Sequence, residues 1–261
     1  MSEKPFDNII RDGGFTRIFR TIGCIGDSLS SGEFESMDKA GNRGYHDMFE
    51  YSWGQVLGRA CGSKVYNFSR GGMTAKEYIE SFGEENDFFN PEKACHAYII
   101  ALAVNDCSQI LLGNMEIGEI TDIDKESPEN NKKTFMGYYG AIISRYKAIQ
   151  PRAKFFLMTT PQSPDMRLPE RLELEKKMND KIREIAGIFD NAYVLDFEKY
   201  APYYDKDFHE EYFLGGHMSP AGYVLTADYV GSYIDYIIRH NMKEFKEVGF
   251  IGTDLHNVSI D

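Results

Sequence analysis

The chain has 261 residues, 42% of them hydrophobic, and a formal net charge of -12. Such a length and apolar content suit one sizeable core, which predicts a single domain over residues 1–261 with its core at about residues 18–240. The acidic balance argues against nucleic acid and anionic membrane as partners, since both need concentrated Lys and Arg, and no stretch approaches the ~20 apolar residues of a membrane span.

Residues 18–25 form the first apolar, β-rich run, and it ends in Gly26-Asp27-Ser28-Leu29, which presents Ser28 where a buried strand finishes. A long connection, residues 30–51, leads to a helical segment at 53–61 and a second strand at 64–68. The second strand runs into Asn67-Phe68-Ser69-Arg70-Gly71-Gly72-Met73-Thr74. A helical stretch at 74–81 is followed by a third strand, 97–103, which opens onto Ala103-Val104-Asn105-Asp106. After another long connection, 107–132, come a helix at 133–149, a strand at 154–158, a helix at 169–189 and a strand at 192–197. The connection over 201–216 carries Tyr203, Tyr204, Phe208, Tyr212 and Phe213 among acidic residues, a composition suited either to stacking on sugar faces or to pinning the loop down. It delivers Gly216-His217-Met218 to Ser219-Pro220, an N-cap with proline at the first helical position, and so to a last helix reaching about residue 240.

Buried strands alternating with helices predict a parallel sheet covered on both faces, and ligands bind such sheets beyond the carboxyl ends of the strands. Ser28, the Ser69–Thr74 stretch and Asn105-Asp106 all follow strand ends. The residue types suit acyl transfer: a serine hydroxyl needs a base to take its proton, and imidazole titrates near neutrality. Ser28 and His217 can fill these roles, and the Ser28 and Gly72 N–H groups and the Asn105 amide are candidate donors to the developing oxyanion. Asp27 and Asp106 are expected to support the turns. The histidines lack metal-ligand spacing and no phosphate or dinucleotide glycine loop is present, so no metal or cofactor is implied. Cys24, Cys61, Cys95 and Cys107 are scattered without a Cys-x-x-Cys pair, as reduced structural thiols would be. With an N-terminus lacking the pattern of a signal peptide, a cytoplasmic location is expected.

In their order and spacing the four segments resemble the blocks of the SGNH (GDSL) hydrolases, a lipase and acylhydrolase family, over residues 21–240. The resemblance implies a three-layer α/β/α sandwich with a five-stranded parallel sheet of flavodoxin-like order. It also implies a serine esterase working through a seryl acyl-enzyme on small acyl esters, acetyl included, of a polar alcohol or carbohydrate. Two residues depart from the family pattern. Ala103 replaces the glycine of the third block, and Leu214 stands where an aspartate usually orients the histidine. A Ser28–His217 dyad with a backbone carbonyl of residues 211–215 on the outward ring nitrogen is therefore expected, ahead of a triad using Asp207, Glu210 or Glu211. The competing reading is a catalytically weak module that binds an ester or glycan on the same scaffold.

Overall fold

The computed structural model describes residues 2–257. Strand β1 (Thr21–Gly26) leads into a short helix, α1 (Ser28–Ser31), and an antiparallel hairpin of β2 (Glu33–Met37) and β3 (Arg43–Asp47). Helix α2 (Trp53–Cys61) and strand β4 (Lys64–Ser69) follow, then α3 (Ala75–Glu77), a π turn over Tyr78–Phe82, and α4 (Gly83–Glu85). Strand β5 (Ala97–Ala101), α5 (Val104–Leu111), α6 (Phe135–Ile149), β6 (Lys154–Met158), α7 (Pro169–Ile188) and β7 (Ala192–Leu195) complete the central layer and one flank. The chain then passes α8 (Phe197–Tyr200) and α9 (Lys206–Tyr212), turns through the two-residue strands β8 (Phe213–Leu214) and β9 (His217–Met218), and ends its main body in α10 (Pro220–His240).

The five-stranded sheet runs β4-β1-β5-β6-β7 with every pairing parallel, the flavodoxin-like order. Alternation along the strands sends Ile25, Phe68, Tyr98, Ile100 and Phe155 to one face, where α6 and α7 cover them. Ile22, Cys24, Ile99, Phe156 and Leu195 meet α2 and α10 on the other. Both faces are thus dry, which explains why the strands read as continuous apolar runs rather than as alternating ones. Ser219 caps α10 through a bond from the Gly222 N–H, with Pro220 at its first position. All four cysteines are buried and free.

Three stretches differ from the sequence expectation. The connection at 30–51 is largely the β2–β3 hairpin, the motif segment after Ala103 is helical as α5, and the connection at 201–216 holds α9 and β8. The segments outside the predicted core are also packed. Phe6 lies against Phe197, Tyr229 and Tyr233, the Phe15 N–H donates to Asp235, and Arg152 donates to the carbonyls of Phe250, Thr253 and Leu255. Among the described residues, no helix is long and apolar enough to cross a membrane.

Candidate active site

Strand β1 ends at Gly26, and Asp27 turns the chain into α1 as its N-cap, its Oδ1 accepting from the Leu29 N–H at 3.1 Å. Ser28, the first residue of α1, is half-buried at the carboxyl edge of the sheet. The second segment is fixed to the same edge, with the Ser69 hydroxyl donating to the Cys24 carbonyl at 2.8 Å. Gly72 follows with φ at +73° and open space where a side chain would stand, a conformation that favours glycine and leaves its backbone approachable. Asn105, on the first turn of α5, directs its side-chain amide to the Met73 carbonyl at 3.3 Å and to Asp27 Oδ2 at 3.4 Å. Asp106 is buried beside it and accepts from the Ala75 N–H at 2.9 Å through Oδ1, while Oδ2 has no partner among the described residues. These bonds tie the first three segments together.

His217 reaches the same edge from β9. The acceptor expected for its ring, a backbone carbonyl from residues 211–215, is not what faces it. Nδ1 lies 3.1 Å from Glu35 Oε1 and Nε2 lies 2.9 Å from Glu33 Oε1. Leu214 pairs with His217 across the β8–β9 turn but is 45% exposed, and Asp207, Glu210 and Glu211 are exposed on or beside α9. The carboxylates come instead from β2, where residues two apart point to the same face, so Glu33 and Glu35 both address the ring while Phe34 between them turns into the core. Among the described residues no hydrogen bond joins Ser28 Oγ to His217, whose two ring nitrogens are both occupied by carboxylates.

The electrostatics are set by burial. Asp27 is desolvated, which pushes its carboxyl up to about 6 against the lowering effects of the Leu29 N–H and of His217. Burial likewise raises Asp106 to about 7, with the Ala75 N–H opposing and Asp27 adding to the rise. Glu33 is raised by burial, with His217 opposing and Asp47 and Glu35 reinforcing. Glu35 is also partly desolvated, but the Gly216 N–H, His217 and Arg43 outweigh burial and hold it below the usual carboxylate range. Because Glu33 and Glu35 sit on opposite edges of the imidazole, they do not converge on a common point, and among the described residues no group of three His, Cys, Asp or Glu is placed to hold a metal ion.

The aromatic rim differs in position from the one read in the sequence. Tyr204 is buried and stacks on Phe208 at 4.1 Å, and Phe213 stacks on His209 at 4.0 Å, so these rings mainly pin their loop to the body, although Tyr203 is 57% exposed. The aromatic residue beside His217 is Tyr45 of β3, 55% exposed and edge-on to the imidazole at 5.8 Å. Glu33, Glu35 and Tyr45 escaped the sequence reading. Their signal was the Glu33-Phe34-Glu35 alternation immediately after the Ser28 turn, the period of a half-buried strand.

The sequence profile of the GDSL-like lipase/acylhydrolase family matches residues 24–225. Among curated proteins, none is similar enough to match. Of solved structures, a family two carbohydrate esterase from Clostridium thermocellum, in complex with cellohexaose, superposes with a TM-score of 0.56 at 16% identity over 86% of this chain and 65% of its own. The acetyl xylan esterase AlAXEase gives 0.55 at 16% identity over 82% of this chain and 99% of its own. The psychrotrophic esterase EstA from Pseudoalteromonas gives 0.51 at 16% identity over 84% and 99%. At these identities the likeness is one of fold.

Proposed function

Because the chain belongs to the GDSL-like lipase/acylhydrolase family of ester hydrolases, we propose that Ser28 is its nucleophile and His217 its general base, acting on small acyl esters of a polar alcohol or carbohydrate. The observation that supports this most is the convergence of four distant segments on one sheet edge. Asn105 is bonded to both the Ser28 turn and the Gly72 loop, and the His217 ring is held by the strand that follows Ser28. In the reaction, Ser28 Oγ attacks the acyl carbon as His217 takes its proton, and the Ser28 and Gly72 N–H groups with the Asn105 amide receive the oxyanion. The same imidazolium then protonates the leaving alkoxide, and water repeats the cycle on the acyl-enzyme.

A short acyl group would suit the apolar cavity of about 60 Å³ that Asp27 and Leu29, the two neighbours of Ser28, line together with Trp53, Met158 and Phe197. A hydroxylated alcohol is supported by the carboxylate acceptors and the exposed Tyr45 ring around His217. The catalytically weak alternative supposes a base without a carboxylate, and the Glu35 contact at 3.1 Å favours the hydrolase reading over it. Ser28→Ala should abolish hydrolysis of p-nitrophenyl acetate and of acetylated sugars while leaving the thermal midpoint unchanged. A fluorophosphonate should label wild type at Ser28 and fail on the variant. Wild-type turnover by Ser28→Ala would dismiss the assignment.

A further inference from the structure

We propose that Glu35, reaching the histidine from the N-terminal hairpin, is the positioning carboxylate of this hydrolase, and that its neighbour Glu33 occupies the ring nitrogen Ser28 must use. This rests on the Ser28–His217 reading above. Both carboxylates lie within hydrogen-bond distance of the imidazole, so the question is which of them faces away from the reaction. Glu35 is on the outer side. Its carboxylate lies in the β8–β9 turn, filling the place where a Gly215 side-chain carbon would stand, and Arg43 Nη1 is 4.0 Å away. Glu33 is on the reacting side. It follows α1 directly, and its Oε2 is 2.5 Å from where a Gly71 side-chain carbon would stand, against the loop that carries Gly72.

The assignment fixes a proton ledger. Nδ1–H is donated to Glu35 Oε1 throughout, which leaves Nε2 as the lone-pair nitrogen of the neutral ring. Once Glu33 swings off Nε2, the Ser28 proton moves to Nε2 as the Oγ–C bond forms, and it passes to the alkoxide oxygen as the C–O bond of the leaving alcohol breaks. A neutral ring can donate to only one of the two carboxylates. In the doubly held arrangement Glu33 and Ser28 therefore compete for one nitrogen. The charged and titratable groups around the ring are Glu33 and Glu35 of β2, Arg43, Tyr45 and Asp47 of β3, and Asp27 of the α1 turn.

Glu35→Gln and Glu33→Gln, measured beside Ser28→Ala on p-nitrophenyl acetate, test this. Glu35→Gln should lower kcat by roughly 10²- to 10⁴-fold, the range for losing a histidine-orienting carboxylate, with KM changed by less than about twofold. It should also remove the downfield His217 Nδ1–H resonance in ¹⁵N-labelled protein. Glu33→Gln should keep that resonance and raise kcat a few-fold. Should Glu35→Gln misfold, Glu35→Asp, one methylene shorter, must show the same selective loss of kcat. Wild-type kcat in Glu35→Gln, or an equal loss in both glutamine variants, overturns the proposal while inactive Ser28→Ala keeps the functional reading standing. An active Ser28→Ala instead sinks that reading itself.

Discussion

Ala103 carries the family's glycine position in a backbone that a side chain resists, with φ at +121° and ψ at -30°. The adjoining α5 starts there, so the strained angle sets the direction in which Asn105 leaves the sheet. Such a conformation costs a non-glycine residue about 1–3 kcal/mol. Ala103→Gly relieves this, at the expense of about 0.8 kcal/mol for the buried methyl and about 0.4–1 kcal/mol of extra unfolded-chain freedom. The balance runs from a loss of about 0.8 to a gain of about 1.8 kcal/mol, and urea denaturation should show a change within that range. A loss above about 1 kcal/mol would mean the angle is not strained. At this scale the sequence was legible where residue type suggests chemistry: the motifs pointed to Ser28, Gly72, Asn105 and His217, whose segments the fold brings to one sheet edge. Glu35 escaped them, because a surface glutamate on a strand has the same letter whether it meets solvent or an imidazole 182 positions away.

The two hairpins are the elements that build the His217 side of the site. Gly215 holds the β8–β9 turn with φ at +71° and lends Glu35 the space a methyl group would fill. Gly215→Ala should thus cost about 1–2 kcal/mol for the left-handed backbone and, by displacing the carboxylate, at least tenfold in kcat. Thermal melting and steady-state kinetics measure the two separately; an unchanged kcat would detach the turn from catalysis. Gly72 makes the contrast, with the same hand of backbone but nothing within 4 Å. Element by element, the five central strands and the long flanking helices were readable because burial on both faces leaves unbroken apolar runs. The β2–β3 hairpin was hidden by its own exposure: only Phe34 enters the core from β2, and β3 has no buried residue at all. Helix α9 was disguised in a similar way, since its polar face dominates and Asp205 as its cap looked like another loop acid.

Across the whole molecule, Asp27 and Asp106 couple the site to stability. Both are raised by burial, to about 6 and about 7, so the folded chain holds their protons more tightly than the unfolded chain does. Each group's contribution is fully present below the ordinary value near 3.8 and is lost as pH rises toward 6 or 7. His96 and His209, lowered by burial, act in the opposite sense near their ordinary value of 6.5. The informative quantity is the difference between wild type and Asp106→Asn: wild type should lose a few kcal/mol more than the variant between pH 5 and pH 8, as burial of one carboxylate requires. Parallel curves in urea titrations at the two pH values would show that Asp106 does not carry this cost.

The Glu35–His217 contact also bears on how the chain comes to life during synthesis. Ser28, Glu33 and Glu35 leave the ribosome almost together, whereas the ring that the two carboxylates hold follows some 182 residues after Glu35, just ahead of α10. The nascent polypeptide therefore displays Ser28, Glu33 and Glu35 without that ring while the intervening residues are made. With Ser28 and His217 acting as proposed, turnover begins only when β9 and α10 have docked, which makes ester cleavage a clock for that step of folding.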